Sequence, residues 1–83
     1  MKVKVRYFAS LREALGPGED VDAPAGATMS LLRDLLIARS DTHAAALARG
    51  RALRCALDQA LCDESALVRD GAEVAFFPPV TGG

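Results

Sequence analysis

The sequence predicts an α+β domain: a mixed sheet whose first and last strands lie side by side and parallel, crossed by one main helix. Three observations carry this expectation. Polar and apolar residues alternate from Lys2 to Phe8, the most apolar alternating run, Val74 to Phe77, comes last, and the one long stretch with helical spacing begins at Met29 between them. The chain separating the two strands is long enough for the crossover that parallel neighbours require.

Each element has a local reason. Val3, Val5 and Tyr7 alternate with Lys2, Lys4, Arg6 and Phe8, so the first strand has a core face and an outer face, on which Phe8 is the apolar misfit. Ala9 to Leu15 reads as a short helix with Leu11, Ala14 and Leu15 inward and Arg12 and Glu13 outward, stopped by Gly16-Pro17-Gly18. Glu19 to Ala23 is a weak second strand, followed by a turn at Pro24-Ala25-Gly26-Ala27. Thr28 is placed to cap the main helix, in which Met29, Leu32, Leu35 and Leu36 form the apolar stripe and Arg33, Asp34 and Arg39 face water. Ser40-Asp41-Thr42 interrupts this helix and caps a further helical segment through Ala44 to Ala48, ended by Gly50. Leu53 to Leu57 and Ala60 to Cys62 are strands about an Asp58-Gln59 turn. A helical turn over Asp63 to Leu67 and a tight turn at Arg69-Asp70-Gly71 lead into the last strand. This order is that of a β-grasp domain.

Eighty-three residues form one domain, too small to enclose a catalytic cleft, so function is expected to involve partners. A net charge of -1, with ten basic residues spread along the chain and few aromatics, gives no basic stripe or stacking platform for nucleic acid. The apolar runs are too short for a bilayer, and Met1-Lys2-Val3-Lys4 leads straight into a strand, so the cytoplasm is the expected compartment. Cys55 and Cys62 match neither a CxxC pair nor a zinc knuckle and read as small buried residues, the alternative being that one accepts or relays sulfur. His43 is a lone histidine expected at the surface, and Asp20 and Asp22 share a strand face as a solvated edge rather than a metal site. No catalytic triad, phosphate loop or metal motif is present, and no bound cofactor is expected.

The segment richest in information is the last. Pro78 and Pro79 end the strand, hold polyproline-like φ and direct the chain off the sheet, dividing it into a domain over 1–78 and an extended tail over 79–83. Gly82 and Gly83 lack any Cβ, so the tail is thin and the carbonyl carbon of Gly83 is unhindered. Fully extended, Pro79 to Gly83 reaches roughly 17 Å at about 3.4 Å per residue, enough to enter another protein's cleft. Phe8 and Phe77 both point away from the core. If their strands are neighbours they make one exposed patch, joined by Leu61, beside that tail.

The stretch Asp70-Gly71-Ala72-Glu73-Val74-Ala75-Phe76-Phe77-Pro78-Pro79-Val80-Thr81-Gly82-Gly83 resembles the C-terminal signature of molybdopterin synthase small subunits, ubiquitin-like sulfur carriers of molybdenum cofactor biosynthesis. The likeness begins at Val3-Lys4-Val5-Arg6-Tyr7-Phe8-Ala9-Ser10-Leu11-Arg12-Glu13, is loose in the middle, and departs at Asp58-Gln59, where many members have Asn-Gln.

The resemblance implies that Phe8, Leu61 and Phe77 contact the large synthase subunit and that Arg12 meets its acidic groups. It implies that Gly83, at the end of Pro79, Val80, Thr81 and Gly82, is adenylated with ATP by a ubiquitin-activating-like adenylyltransferase. A persulfide donor then converts it to a thiocarboxylate, which sulfurates cyclic pyranopterin monophosphate. Catalytic groups are then expected on the large subunit. Two other readings use the same tail: a carrier for thiamine- or cysteine-type sulfur transfer, and a ubiquitin-like protein modifier.

Overall fold

A computed structural model describes residues 1–79. The chain runs β1 (Lys2–Tyr7), α1 (Ser10–Leu15), β2 (Gly18–Asp22), α2 (Met29–Ile37), α3 (Asp41–Ala46), β3 (Arg54–Leu57), β4 (Ala60–Cys62) and β5 (Glu73–Phe77). The five strands form one mixed sheet in the order β2-β1-β5-β3-β4. β1 and β5 are parallel at its centre, with Val5 beside Val74 and Tyr7 beside Phe76, and the other neighbours are antiparallel. This is the β-grasp arrangement expected from the order of elements.

Strand alternation places Val3, Val5, Tyr7, Val74 and Phe76 on one face of the sheet, where they are buried with Met29, Leu32 and Leu36 of α2. α2 begins where expected because Thr28 Oγ1 accepts the Leu31 amide at 3.2 Å. Ser40 caps α3 in the same way, accepting from the His43 amide at 3.0 Å. The loop before β5 is tied to the start of β1: Lys2 N–H donates to Asp70 Oδ1 at 2.7 Å and Gly71 N–H donates to the Lys2 carbonyl at 2.7 Å. Gly71 turns there with a φ of 81°, a conformation that favours glycine.

Five expectations are corrected. Arg33, placed at the water face of α2, is 3% exposed. Its Nε donates to the Leu47 carbonyl at 2.8 Å, Nη2 to the carbonyls of Ala48 at 2.6 Å and Arg51 at 3.2 Å, and Nη1 to Glu64 Oε2 at 2.9 Å. The guanidinium fork thus satisfies carbonyls left over where α3 ends, which is why α3 stops at Ala46 rather than continuing through Ala48. Ala14 is exposed, leaving Leu11 as the buried residue of α1. Asp63 to Leu67 is not helical. Asp63 Oδ1 accepts from Ser65 N–H at 2.8 Å in a local turn, and Leu67 then bridges Thr28 in extended backbone.

His43, expected at the surface, is only 16% exposed in its side chain. Its ring bridges Ser40 Oγ at 2.7 Å and Glu19 Oε2 at 2.8 Å, while Glu19 also accepts from Tyr7 Oη at 2.7 Å and pairs with Arg39 at 2.9 Å. One carboxylate therefore joins β1, β2 and the ends of both later helices. Burial pushes the Glu19 carboxyl up, but the hydrogen bonds from His43 and Tyr7 and the charge of Arg39 outweigh it and hold the group below its ordinary range. Burial, reinforced by Glu19, pushes the Tyr7 phenol up.

Two outcomes follow. Arg33→Leu should destabilise the domain by about 3 kcal/mol in urea unfolding, because several carbonyls and Glu64 lose a buried donor. Because the Glu19 carboxyl is depressed in the folded state, its contribution is complete above the ordinary glutamate range and is lost as pH falls through the folded value. Glu19→Gln should accordingly cost about 1 kcal/mol near neutrality and flatten the acid limb of the stability–pH curve.

Candidate interaction surface beside Pro78 and Pro79

With the helices on one face, the other face of the sheet stays open. Outward positions on β1 and β2 are charged (Lys2, Lys4, Arg6, Asp20 and Asp22), whereas those on β3, β4 and β5 are largely apolar: Ala56, Leu61, Ala75 and Phe77. Phe8 lies beside this apolar half because its amide donates to the Phe76 carbonyl at 3.3 Å, continuing the parallel pairing by one residue. Phe8 is 42% exposed and Phe77 half-buried. Both line an apolar groove with Ala56 and Ala75, and Gln59, Glu73 and Pro78 close its edges. Arg6 caps the Phe8 ring, its guanidinium carbon 5.9 Å from the centroid.

Leu61, at 71% exposure, is the most exposed large apolar residue among those described. It stands opposite Ala56 on the outer face and lines a neighbouring groove together with Cys62 and Pro79. Phe8 and Phe77 are therefore adjacent, with Leu61 on the same face across a trough made by small residues. Arg12 is exposed on α1, four residues beyond Phe8, and pairs with no carboxylate among the described residues. Pro78 and Pro79 follow β5 directly. The readings made for Val80, Thr81, Gly82 and Gly83 lie outside the described residues.

Two backbone features shape the groove. Ala9, one of its lining residues, has φ 54° and ψ -130°, a conformation that L-residues adopt at a cost of order 1–3 kcal/mol. It turns the chain from β1 into α1 immediately after Phe8. Asp58 and Gln59 have φ of 49° and 70°, so the hairpin turn is of the type with two left-handed residues. Asp58 also holds β5: its amide donates to the Glu73 carbonyl at 2.8 Å, and its Oδ1 accepts the Glu73 amide at 2.9 Å.

Sequence reasoning missed Ala9, Ala56, Gln59, Glu73, Ala75 and Pro78 as parts of this surface. A signal existed for two of them, since alanine at outward strand positions leaves a hollow between larger neighbours. Among the described residues no group of three or more His, Cys, Asp or Glu is arranged to hold a metal ion, and no helix is long and apolar enough to cross a membrane.

A profile of the ThiS family matches residues 5–83. The chain belongs to that family. It is 43% identical over 81 residues to the molybdopterin synthase sulfur carrier subunit of Escherichia coli (strain K12), an alignment covering 98% of this chain and 99% of that protein. Among solved structures, SAMP1 from Haloferax volcanii matches with a TM-score of 0.80 at 25% identity, over 100% of both chains. A chain in the complex of subunits 1 and 2 of molybdopterin-converting factor from Helicobacter pylori 26695 matches with a TM-score of 0.68 at 26% identity, again over 100% of both. The fold is thus ubiquitin-like, and the match to the family includes the diglycine.

Strain at Ala9 gives this surface a direct test. Ala9→Gly should leave the domain as stable as the parent or up to about 1 kcal/mol more stable, while Ala9→Val should cost about 2 kcal/mol or more, as measured by chemical denaturation.

Proposed function

We propose that this chain is the sulfur carrier subunit of a molybdopterin synthase, working in the cytoplasm with the sulfur held on Gly83. The observation that carries the reading is the position of the apolar groove. Phe8 and Phe77 flank it where Pro78 and Pro79 take the chain off the sheet, so a protein bound there also receives whatever follows Pro79. The family match through Gly83 and the likeness to a subunit of a two-subunit complex support it.

The chemistry follows from the carboxylate. Its negative charge opposes nucleophilic attack and oxide is a poor leaving group, so activation must come first. A ubiquitin-activating-like adenylyltransferase transfers AMP from ATP to Gly83, releasing pyrophosphate and making an acyl-adenylate. The outer sulfur of a persulfide donor displaces AMP to give an acyl disulfide. A second thiol cleaves its S–S bond, forming a disulfide with the donor and releasing a thiocarboxylate, whose soft anionic sulfur is the nucleophile delivered to cyclic pyranopterin monophosphate. A dithiolene needs two sulfurs, so two loaded carriers serve each pterin. Phe8, Leu61 and Phe77 bury against the large subunit, Arg12 meets its acidic groups, and the catalytic acid and base belong to that subunit. Gly82 and Gly83 contribute slenderness and an unhindered acyl carbon rather than binding energy.

Phe77→Asp or Phe8→Asp should weaken large-subunit binding by about 2 kcal/mol, roughly thirtyfold by calorimetry, with the fold intact, because a charge is desolvated in an apolar contact. Removing Gly83 should abolish sulfuration without loss of stability or binding. The reactive carbon retreats by roughly 3.4 Å, and even a 1 Å misplacement costs on the order of a hundredfold. Gly83→Ala keeps the reach and adds a methyl group, so a smaller loss is expected. Mass spectrometry after incubation with activating enzyme, ATP and donor follows adenylate and thiocarboxylate directly. Normal sulfuration by the truncated chain overturns the proposal, and lysine adducts in place of a thiocarboxylate identify a protein modifier instead.

A further inference from the structure

The sulfur-carrier reading leaves two thiols unused. The hairpin register sets Cys55 of β3 directly opposite Cys62 of β4. Facing residues of an antiparallel pair have Cα atoms about 4.5 or 5.5 Å apart, and a disulfide accepts separations of roughly 4.4–6.8 Å, so the backbone already meets the requirement. Both side chains turn to the core side of the sheet, and their Sγ atoms are 3.7 Å apart. A disulfide brings such atoms to about 2.05 Å, so closure is a short movement.

The two thiols differ in access. Cys55 is 4% exposed. Burial, with the hydrogen bond to Cys62 adding to it, pushes the Cys55 thiol up to about 12. Both cysteines lie against an open groove bordered by Arg54, Leu61, Asp63 and Pro79, but only Cys62 is more than marginally exposed to it. An incoming reagent therefore meets Cys62 first.

We propose that Cys55 and Cys62 form an exchange site for low-molecular-weight disulfides, in which Cys62 takes up the first sulfur and Cys55 resolves it into an internal disulfide. The Cys62 thiolate attacks one sulfur of the small disulfide, forming a mixed disulfide and expelling one small thiolate. Cys55, its proton passing to solvent, attacks Cys62 Sγ and expels the second. The cysteine pair is oxidised by two electrons, the reagent is reduced to two thiols, and an excess of small thiol reverses both steps. Among the described residues β4 pairs with β3 alone, so the bond fastens the edge strand that carries Leu61 to the body of the sheet.

The test uses the full chain and bis(2-hydroxyethyl) disulfide, a neutral probe that Asp63 and Glu64 at the groove neither attract nor repel. After acid quenching and alkylation, mass spectrometry should find a product lighter than the reduced chain by two hydrogen atoms and closed to alkylation, which mercaptoethanol reopens. Cys55→Ser should stop at a mixed disulfide on Cys62, and Cys62→Ser should react at least about tenfold more slowly than the parent. The equilibrium against the reagent also gives an effective concentration for closure. This should be at least about tenfold higher in the folded chain than in urea, where only loop closure favours the bond. The proposal fails if the folded chain accumulates mixed disulfides without closing, if Cys62→Ser reacts as fast as the parent, or if closure is no more favourable in the folded chain than in urea.

Discussion

Because β1 and β5 pair in parallel at the centre of the sheet, no hairpin can join them, and everything between must form a crossover that returns the chain in register. α2 lies on the core face and closes it over Val5, Tyr7, Val74 and Phe76. The two outer pairs, β2 on β1 and β3–β4 on β5, extend the sheet but do not hold its centre. These contacts join distant parts of the sequence, so the loop-closure entropy must be met before the core contributes fully. The links of Asp70 and Gly71 to Lys2, and of Asp58 to Glu73, fix β5 at its start.

Much of this was legible because two periodicities do most of the assignment. Alternation found β1 and β5, β4 was placed residue for residue, and the apolar stripe with Thr28 before it located α2 and its cap. The same alternation marked Phe8 and Phe77 as apolar residues on the wrong face, and their adjacency followed once β1 and β5 were made neighbours. The inward residues Val5, Tyr7, Leu32, Leu36, Val74 and Phe76 are all buried, as their spacing required.

What the sequence concealed depends on partners far along the chain. Arg33 looks like an ordinary helix-surface cation until carbonyls 14, 15 and 18 residues later turn towards it. His43 looks solitary until β2 brings Glu19, 24 residues earlier, against its ring. A helix-face pattern has no term for loops that arrive from elsewhere and cover a charged side chain. The trough between Leu61 and the two phenylalanines is similarly quiet, since Ala56 and Ala75 mark it by what they lack. The cysteine pair became visible only through the register of β3 on β4.

The adjacent phenylalanines of β5 carry a further consequence. Phe76 faces the core and Phe77 the groove, yet a one-residue slip would exchange two identical rings, so the aromatic pair cannot choose its own register. That choice rests on their neighbours: a slip would turn the fully buried Val74 outward and carry Glu73 or Ala75 toward the core, whereas the native register buries Val74 while Asp58 holds both backbone groups of Glu73. A slip would move Phe77, Pro78 and Pro79 by one position along the sheet and exchange the faces that the side chains of β5 present. Burial of one valine is thus a datum point for the whole strand: it fixes, at the far end of β5, where along the edge of the sheet Pro78 begins and which ring the groove receives.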